Sequence, residues 1–317
     1  MWPFNQQSRR VWWGFNWSIL FAVALSFALL FQACGSGDAT NGSSAGQTGT
    51  AVEAAKDSTN GLTALDKEHS GDKPTPTPVA MAEPAVPVTG QEVTYATIAG
   101  QAVTGYLAQP KAPASETLPA ILAIHEWWGL NDNIKATARR LAGEGYTVLA
   151  VDLYGGRVAD APEQAKDLMR SVMDAPGPAQ ENLTQAAQFL SSDYSAPKLG
   201  VIGWCFGGGW ALRSGLLLQD LSAIAIYYGE LILQPEALDG INAPIIGFFG
   251  EDDSSIPVQD VENFRSALSN LGKPADINLY PGVGHAFANP SGKNYSADAA
   301  EDAWKKTSAF FAAQLQG

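Results

Sequence analysis

Leu199-Gly200-Val201-Ile202-Gly203-Trp204-Cys205-Phe206-Gly207-Gly208-Gly209-Trp210-Ala211-Leu212 is the stretch that decides the fold. An apolar run ends at a cysteine, glycines follow at once, and a helix-forming segment begins. The pattern reads as strand, sharp turn and helix, with a thiol at the tip. Glycines on both sides of Cys205 let backbone and helix approach closely enough to push that thiol out at the strand end. The helix N-terminus beneath it favours negative charge, on a thiolate or on a developing oxyanion. A lone cysteine more often serves as a small buried hydrophobe. The flanking glycines and the strand–turn–helix context weigh against that plainer role.

On either side of this turn, short apolar runs alternate with segments of helical spacing. The runs at 119–124, 147–153, 199–203, 224–228, 244–249 and 277–280 look like buried parallel strands. Helical spacing fills 133–143, 162–173, 179–190, 208–217, 258–271 and 297–315. Ahead of them, β-like runs at 93–98 and 102–108 flank Ala99-Gly100 and read as a hairpin. The expectation is one α/β domain over residues 91–317, with a mostly parallel central sheet and helices on both faces.

The remaining third of the chain reads differently. Arg9 and Arg10 give a positive start, and 18–31 is an apolar stretch of signal-peptide length, short for a membrane span. Phe31-Gln32-Ala33-Cys34 resembles a bacterial lipoprotein signal. It implies removal of residues 1–33, lipidation at Cys34 and a membrane anchor at the cell envelope. Ordinary secretory cleavage, or an uncleaved anchor extended by 11–17, is the alternative. Residues 34–90 are rich in Gly, Ser, Thr, Ala and Pro and lack apolar periodicity, so they read as a tether. Gly42-Ser43-Ser44-Ala45-Gly46 formally matches a Gly-x-Ser-x-Gly nucleophile pattern, but no strand precedes it and no helix follows.

The chain carries a net charge of −13, about −15 once Arg9 and Arg10 are removed. That balance, with no dense basic cluster, excludes nucleic acid as a partner. It has two cysteines. With Cys34 taken by lipid, Cys205 is an unpaired thiol outside the cytoplasm, which marks it as reactive rather than structural.

A cysteine nucleophile needs a base and an orienting acid, in the chain order nucleophile, acid, histidine. There are three histidines. His69 falls in the tether, with no scaffold. His125 ends a strand beside Glu126. His285 sits in the loop Pro281-Gly282-Val283-Gly284-His285 after the last apolar strand, and is taken as general base. For the acid, Gly250-Glu251-Asp252-Asp253-Ser254-Ser255-Ile256-Pro257 is a strand running into an acidic loop. Its spacing favours Asp253, with Asp252 the fallback.

At these residues the chain resembles the dienelactone hydrolase family, which has the α/β-hydrolase fold. The elbow carries the resemblance, with Glu126-Trp127-Trp128-Gly129-Leu130-Asn131, Asp152-Leu153-Tyr154 and the Gly250-to-Pro257 loop. The resemblance implies Cys205, Asp253 and His285 as triad, and Glu126 as the carboxylate that contacts the resting thiol. It implies an oxyanion hole from the Phe206 and Trp127 amides. Read from its position alone, Glu126 has a competing role as a fold-supporting hydrogen-bond partner.

Family members acting on dienelactone grip its carboxylate with arginines. Here those positions read Gly156, with Arg157 one place later, and Asn289. A neutral, apolar ester or lactone is therefore the expected small-molecule substrate. No cofactor is expected, since no dinucleotide fingerprint, phosphate loop or His-rich metal spacing is present. The alternative is a lipid-anchored binding or structural module that kept the fold without turnover.

Overall fold

The structure, a computed structural model, describes residues 67–69, 71–72 and 74–317. The expected signal segment 1–33, Cys34 and the expected tether up to residue 66 lie outside the described residues.

Eight strands form one sheet in the order β1-β2-β4-β3-β5-β6-β7-β8. β1 (Val88–Ile98) and β2 (Gln101–Pro110) are the expected hairpin, and β2 also runs antiparallel to β4 (Thr147–Val151). The remaining pairings are parallel: β4 with β3 (Ala120–Ile124), β3 with β5 (Leu199–Trp204), then β6 (Leu221–Tyr227), β7 (Ile245–Gly250) and β8 (Ala275–Tyr280). Every residue of β3 and β4 is buried, which requires cover on both faces. That cover comes from α1 (Asp132–Ala142), α2 (Pro162–Asp174), α3 (Gly177–Asp193), α4 (Phe206–Leu217), the short α5 (Pro235–Leu238), α6 (Val258–Asn270) and α7 (Ala297–Phe311). The mostly parallel α/β architecture expected from the alternating pattern is the one found.

Topology fixes where a ligand can bind. After β3 the chain turns to one side to form β4, and later returns to the other side to form β5. Neighbouring connections therefore leave in opposite directions at the carboxyl ends of β3 and β5, opening a crevice there. Glu126 and Trp127 follow β3, and Cys205 follows β5.

The described residues between 67 and 87 depart from the tether expected over 34–90. They form a strap across this same crevice. Glu68 accepts from the Ser254 amide at 3.1 Å and from Asn294 Nδ2 at 3.0 Å. Asp72 accepts from the Lys293 amide at 2.9 Å, and the Thr77 amide donates to Ser291 Oγ at 3.1 Å. His69, placed by the sequence in a segment without scaffold, is 1% exposed.

Candidate active site

The turn after β5 sets the thiol. Cys205 sits at φ 53° and ψ −119°, in a region that a non-glycine residue occupies only when its surroundings enforce it. A Cβ on Gly207 would lie 2.3 Å from the Ile124 carbonyl oxygen and 2.5 Å from that of His125. On Gly203 it would lie 2.0 Å from the Gly207 oxygen. Strand, elbow and helix thus meet at backbone contact, and only glycine fits. The Cys205 amide donates to the Tyr227 carbonyl at 3.0 Å, which ties the elbow to β6. Sγ then stands over the N-terminus of α4.

His285 and Asp253 come from the loops after β8 and β7. Gly250 and Tyr280 are paired in register, so both loops leave the sheet side by side. His285 Nδ1 lies 2.7 Å from Asp253 Oδ2. The other Asp253 oxygen accepts from the amides of Ser255 at 2.7 Å and Ile256 at 3.0 Å. Asp252 and Glu251, the competing carboxylates, are exposed. Asp253 is the one that reaches the imidazole.

Glu126 is buried at the end of β3. Its Oε2 accepts from Asn289 Nδ2 at 2.6 Å, and its Oε1 from the Tyr228 hydroxyl at 3.4 Å. Burial first, and the charge of the Cys205 thiolate second, push its carboxyl up to about 7. Among the described residues the Phe206 and Trp127 amides have no hydrogen-bond acceptor.

The three histidines divide by partner. His125 Nδ1 donates to the Glu126 carbonyl at 2.6 Å, and its Nε2 accepts from the Leu153 amide at 3.1 Å. Both nitrogens are committed to backbone, and burial holds the ring below its usual pKa, so it supports the fold as a neutral imidazole. His69, by contrast, lies in the site. Its Nδ1 is 2.9 Å from Asp72 Oδ2, its Nε2 is 4.0 Å from Cys205 Sγ, and its ring stacks on Trp127 at 4.4 Å.

Charges in this cluster reinforce one another. Burial opposes ionisation of Cys205, yet the positive His285, its hydrogen bond and then His69 bring the thiol down to about 6. Burial likewise opposes charge on His285, but Asp253 and the thiolate outweigh it and raise the imidazole well above its ordinary value. The arrangement favours a thiolate–imidazolium pair.

The profile of the dienelactone hydrolase family matches residues 103–315. The chain belongs to the dienelactone hydrolase family. It is a hydrolase on the fold the sequence predicts. A provisionally named carboxymethylenebutenolidase of Saccharolobus solfataricus is 31% identical over 248 residues, covering 67% of this chain and 94% of its own. One from Escherichia coli is 32% identical over 227 residues, covering 67% and 83%. A crystal structure of a provisional dienelactone hydrolase from Klebsiella pneumoniae aligns with TM-score 0.64 at 27% identity, over 71% of this chain and 99% of that one. The strap, with His69 and Asp72, lies ahead of the matched residues.

Two features escaped the sequence reading. Asn289, noted as a missing cation, is the partner of Glu126. His69-x-x-Asp72 is a second imidazole–carboxylate pair, and a histidine set among Asp66, Glu68 and Asp72 was the available signal.

Proposed function

We propose that this family member hydrolyses esters or lactones through an acyl-cysteine intermediate, with Cys205 as nucleophile. The observation that carries the reading is the aligned set of Asp253, His285 and a thiol lowered to about 6 at the tip of a strained elbow. Cys205 Sγ attacks the carbonyl carbon and forms the C–S bond. The Phe206 and Trp127 amides donate to the oxyanion, in a buried site where such donors are strongest. As the C–O bond breaks, His285 Nε2 gives its proton to the leaving oxygen. Water then attacks the thioester, loses its proton to His285, and the thiolate departs. Asp253 holds the imidazole in one tautomer and stabilises its protonated form. Glu126, near 7, is positioned by Asn289 and Tyr228 and senses the charge of the thiolate.

Substrate charge follows from the same contacts. The Asn289 amide is committed to Glu126, Gly156 offers no side chain, and Arg157 Nε donates to the Tyr154 carbonyl at 3.0 Å. A substrate carboxylate would be desolvated without the charge-assisted partner it needs. Neutral acyl groups are therefore preferred. The resemblance of 31–34 to a lipoprotein signal supports the further reading that the enzyme works at the cell envelope, anchored through Cys34.

An activated neutral aryl ester and a matched pair of neutral and carboxylated lactones test this reading. The wild type should turn over the ester and favour the neutral lactone in kcat/KM, while Cys205→Ala should lose on the order of 10⁶ in turnover. Wild-type rates in the alanine variant would refute the cysteine mechanism. A preference for the carboxylated lactone, reduced by Arg157→Ala, would refute the charge assignment.

A further inference from the structure

We propose that His69, Cys205 and His285 form a binding site for a thiophilic divalent cation of the zinc type. The site goes beyond the hydrolase reading and does not depend on turnover. One ligand atom from each residue, Sγ and two imidazole nitrogens, lies within 4.8 Å of the others, and all three residues are buried. Ligand atoms on one zinc ion are roughly 3.3–3.8 Å apart, given bonds of about 2.0–2.1 Å to nitrogen and 2.3 Å to sulfur. The 4.0 Å between Sγ and His69 Nε2 is a few tenths of an ångström outside that span.

Orientation distinguishes this cluster from a chance approach. His69 Nδ1 is held by Asp72 Oδ2 at 2.9 Å, and Asp72 Oδ1 accepts from the Lys293 amide at 2.9 Å. His285 Nδ1 is held by Asp253 Oδ2 at 2.7 Å, and Asp253 Oδ1 accepts from two backbone amides. Two independent carboxylates, each braced by main chain, leave both rings with Nε2 as the atom free to face the thiol. This is the outer shell that fixes tautomer and direction in metal-bound histidines. His285 Nε2 is buried, and on that side of the ring its partner is the Cys205 sulfur. Acyl transfer needs one such imidazole, so the second pair requires its own explanation.

The donor set selects the ion. One thiolate and two imidazoles suit zinc and its thiophilic neighbours, whereas magnesium and calcium demand oxygens. Three protein ligands leave a fourth position for water. The Glu126 oxygens are already engaged by Asn289 and Tyr228. On binding, the sulfur lone pair enters the metal–sulfur bond and any proton shared between Sγ and the imidazole nitrogens leaves to solvent. No electron changes hands. A thiolate so engaged cannot attack a carbonyl, and the ion ties the strap to the elbow: the bound form is a latched enzyme.

Cobalt(II), a spectroscopic stand-in for zinc, tests this on the full chain. Titration should give a thiolate-to-cobalt charge-transfer band that saturates at one equivalent and is displaced by zinc. Cys34→Ser should keep the band and Cys205→Ser should abolish it. His69→Ala should weaken cobalt binding by at least the 10–100-fold that loss of an outer-shell partner costs. Asp72→Asn keeps the ring in place and should weaken it about tenfold, which guards against misfolding in the first variant. No band in the wild type, a band that survives Cys205→Ser, or equal affinity in wild type and both strap variants would overturn the proposal. Binding without any ester hydrolysis would leave this site standing and refute the acyl-cysteine reading instead.

Discussion

At the residue scale, Cys205 gains its reactivity from neighbours more than from exposure, since it is only 4% exposed. Its ordinary value of 9.0 falls to about 6, against burial, because His285 and His69 favour the anion. The sign follows directly: thiolate is the main form above about pH 6 and is lost tenfold per unit below it. Alkylation by iodoacetamide, followed at the Cys205 peptide by mass, should therefore plateau above about pH 7 and fall below about pH 6. In His285→Ala the inflection should move up towards that of a free thiol near 8.5. A wild-type inflection near 9 would contradict the thiolate–imidazolium pair. Cys205 and His285, the proposed nucleophile and base, were picked out in the sequence because their positions follow from chain order on a known topology. Asp253 over Asp252 was legible only as a preference. Adjacent exposed and buried carboxylates look alike until the loop's direction is known.

The element that does most to place the site is the elbow between β5 and α4. Its glycines are required by contact with backbone, which cannot yield as a flexible side chain can. Gly207→Ala should cost about 3 kcal/mol, the upper end for overpacking. For a domain of this size that lowers the melting temperature by about 6–12 °C. Gly177→Ala, in the first turn of α3 with nothing within 4 Å of the added carbon, is the control and should be neutral or slightly stabilising. Equal melting temperatures for the two variants, measured by thermal unfolding, would contradict the packing argument. The elbow could be read because glycine spacing and apolar runs are local signals. The strap could not. It is held by Glu68, Asp72 and Thr77 bonding to Ser254, Lys293, Asn294 and Ser291, and polar docking leaves no apolar period in the sequence. The Glu126–Asn289 contact spans 163 positions and has no local trace either.

At the scale of the whole molecule, the chain is strongly acidic, and all three of its histidines are buried. At −13 the chain as a whole repels a polyanion. No helix among the described residues is long and apolar enough to cross a membrane. Attachment by Cys34 remains the proposed route. Cys34→Ser should abolish labelling by palmitate analogues in a bacterial host, and globomycin should accumulate the unprocessed precursor. Labelling that persists in the serine variant would rule the anchor out.

The strap also imposes a chronology on the newborn chain. Thr77 and Ser291 are 214 positions apart, and His69 and Cys205 are 136 apart. At roughly 5–20 residues per second, the segment that closes the crevice leaves the ribosome about 10–40 s before its last docking partners exist. The strap therefore exists before the loop it docks on, and takes its final place only once residues 291–294 have been made.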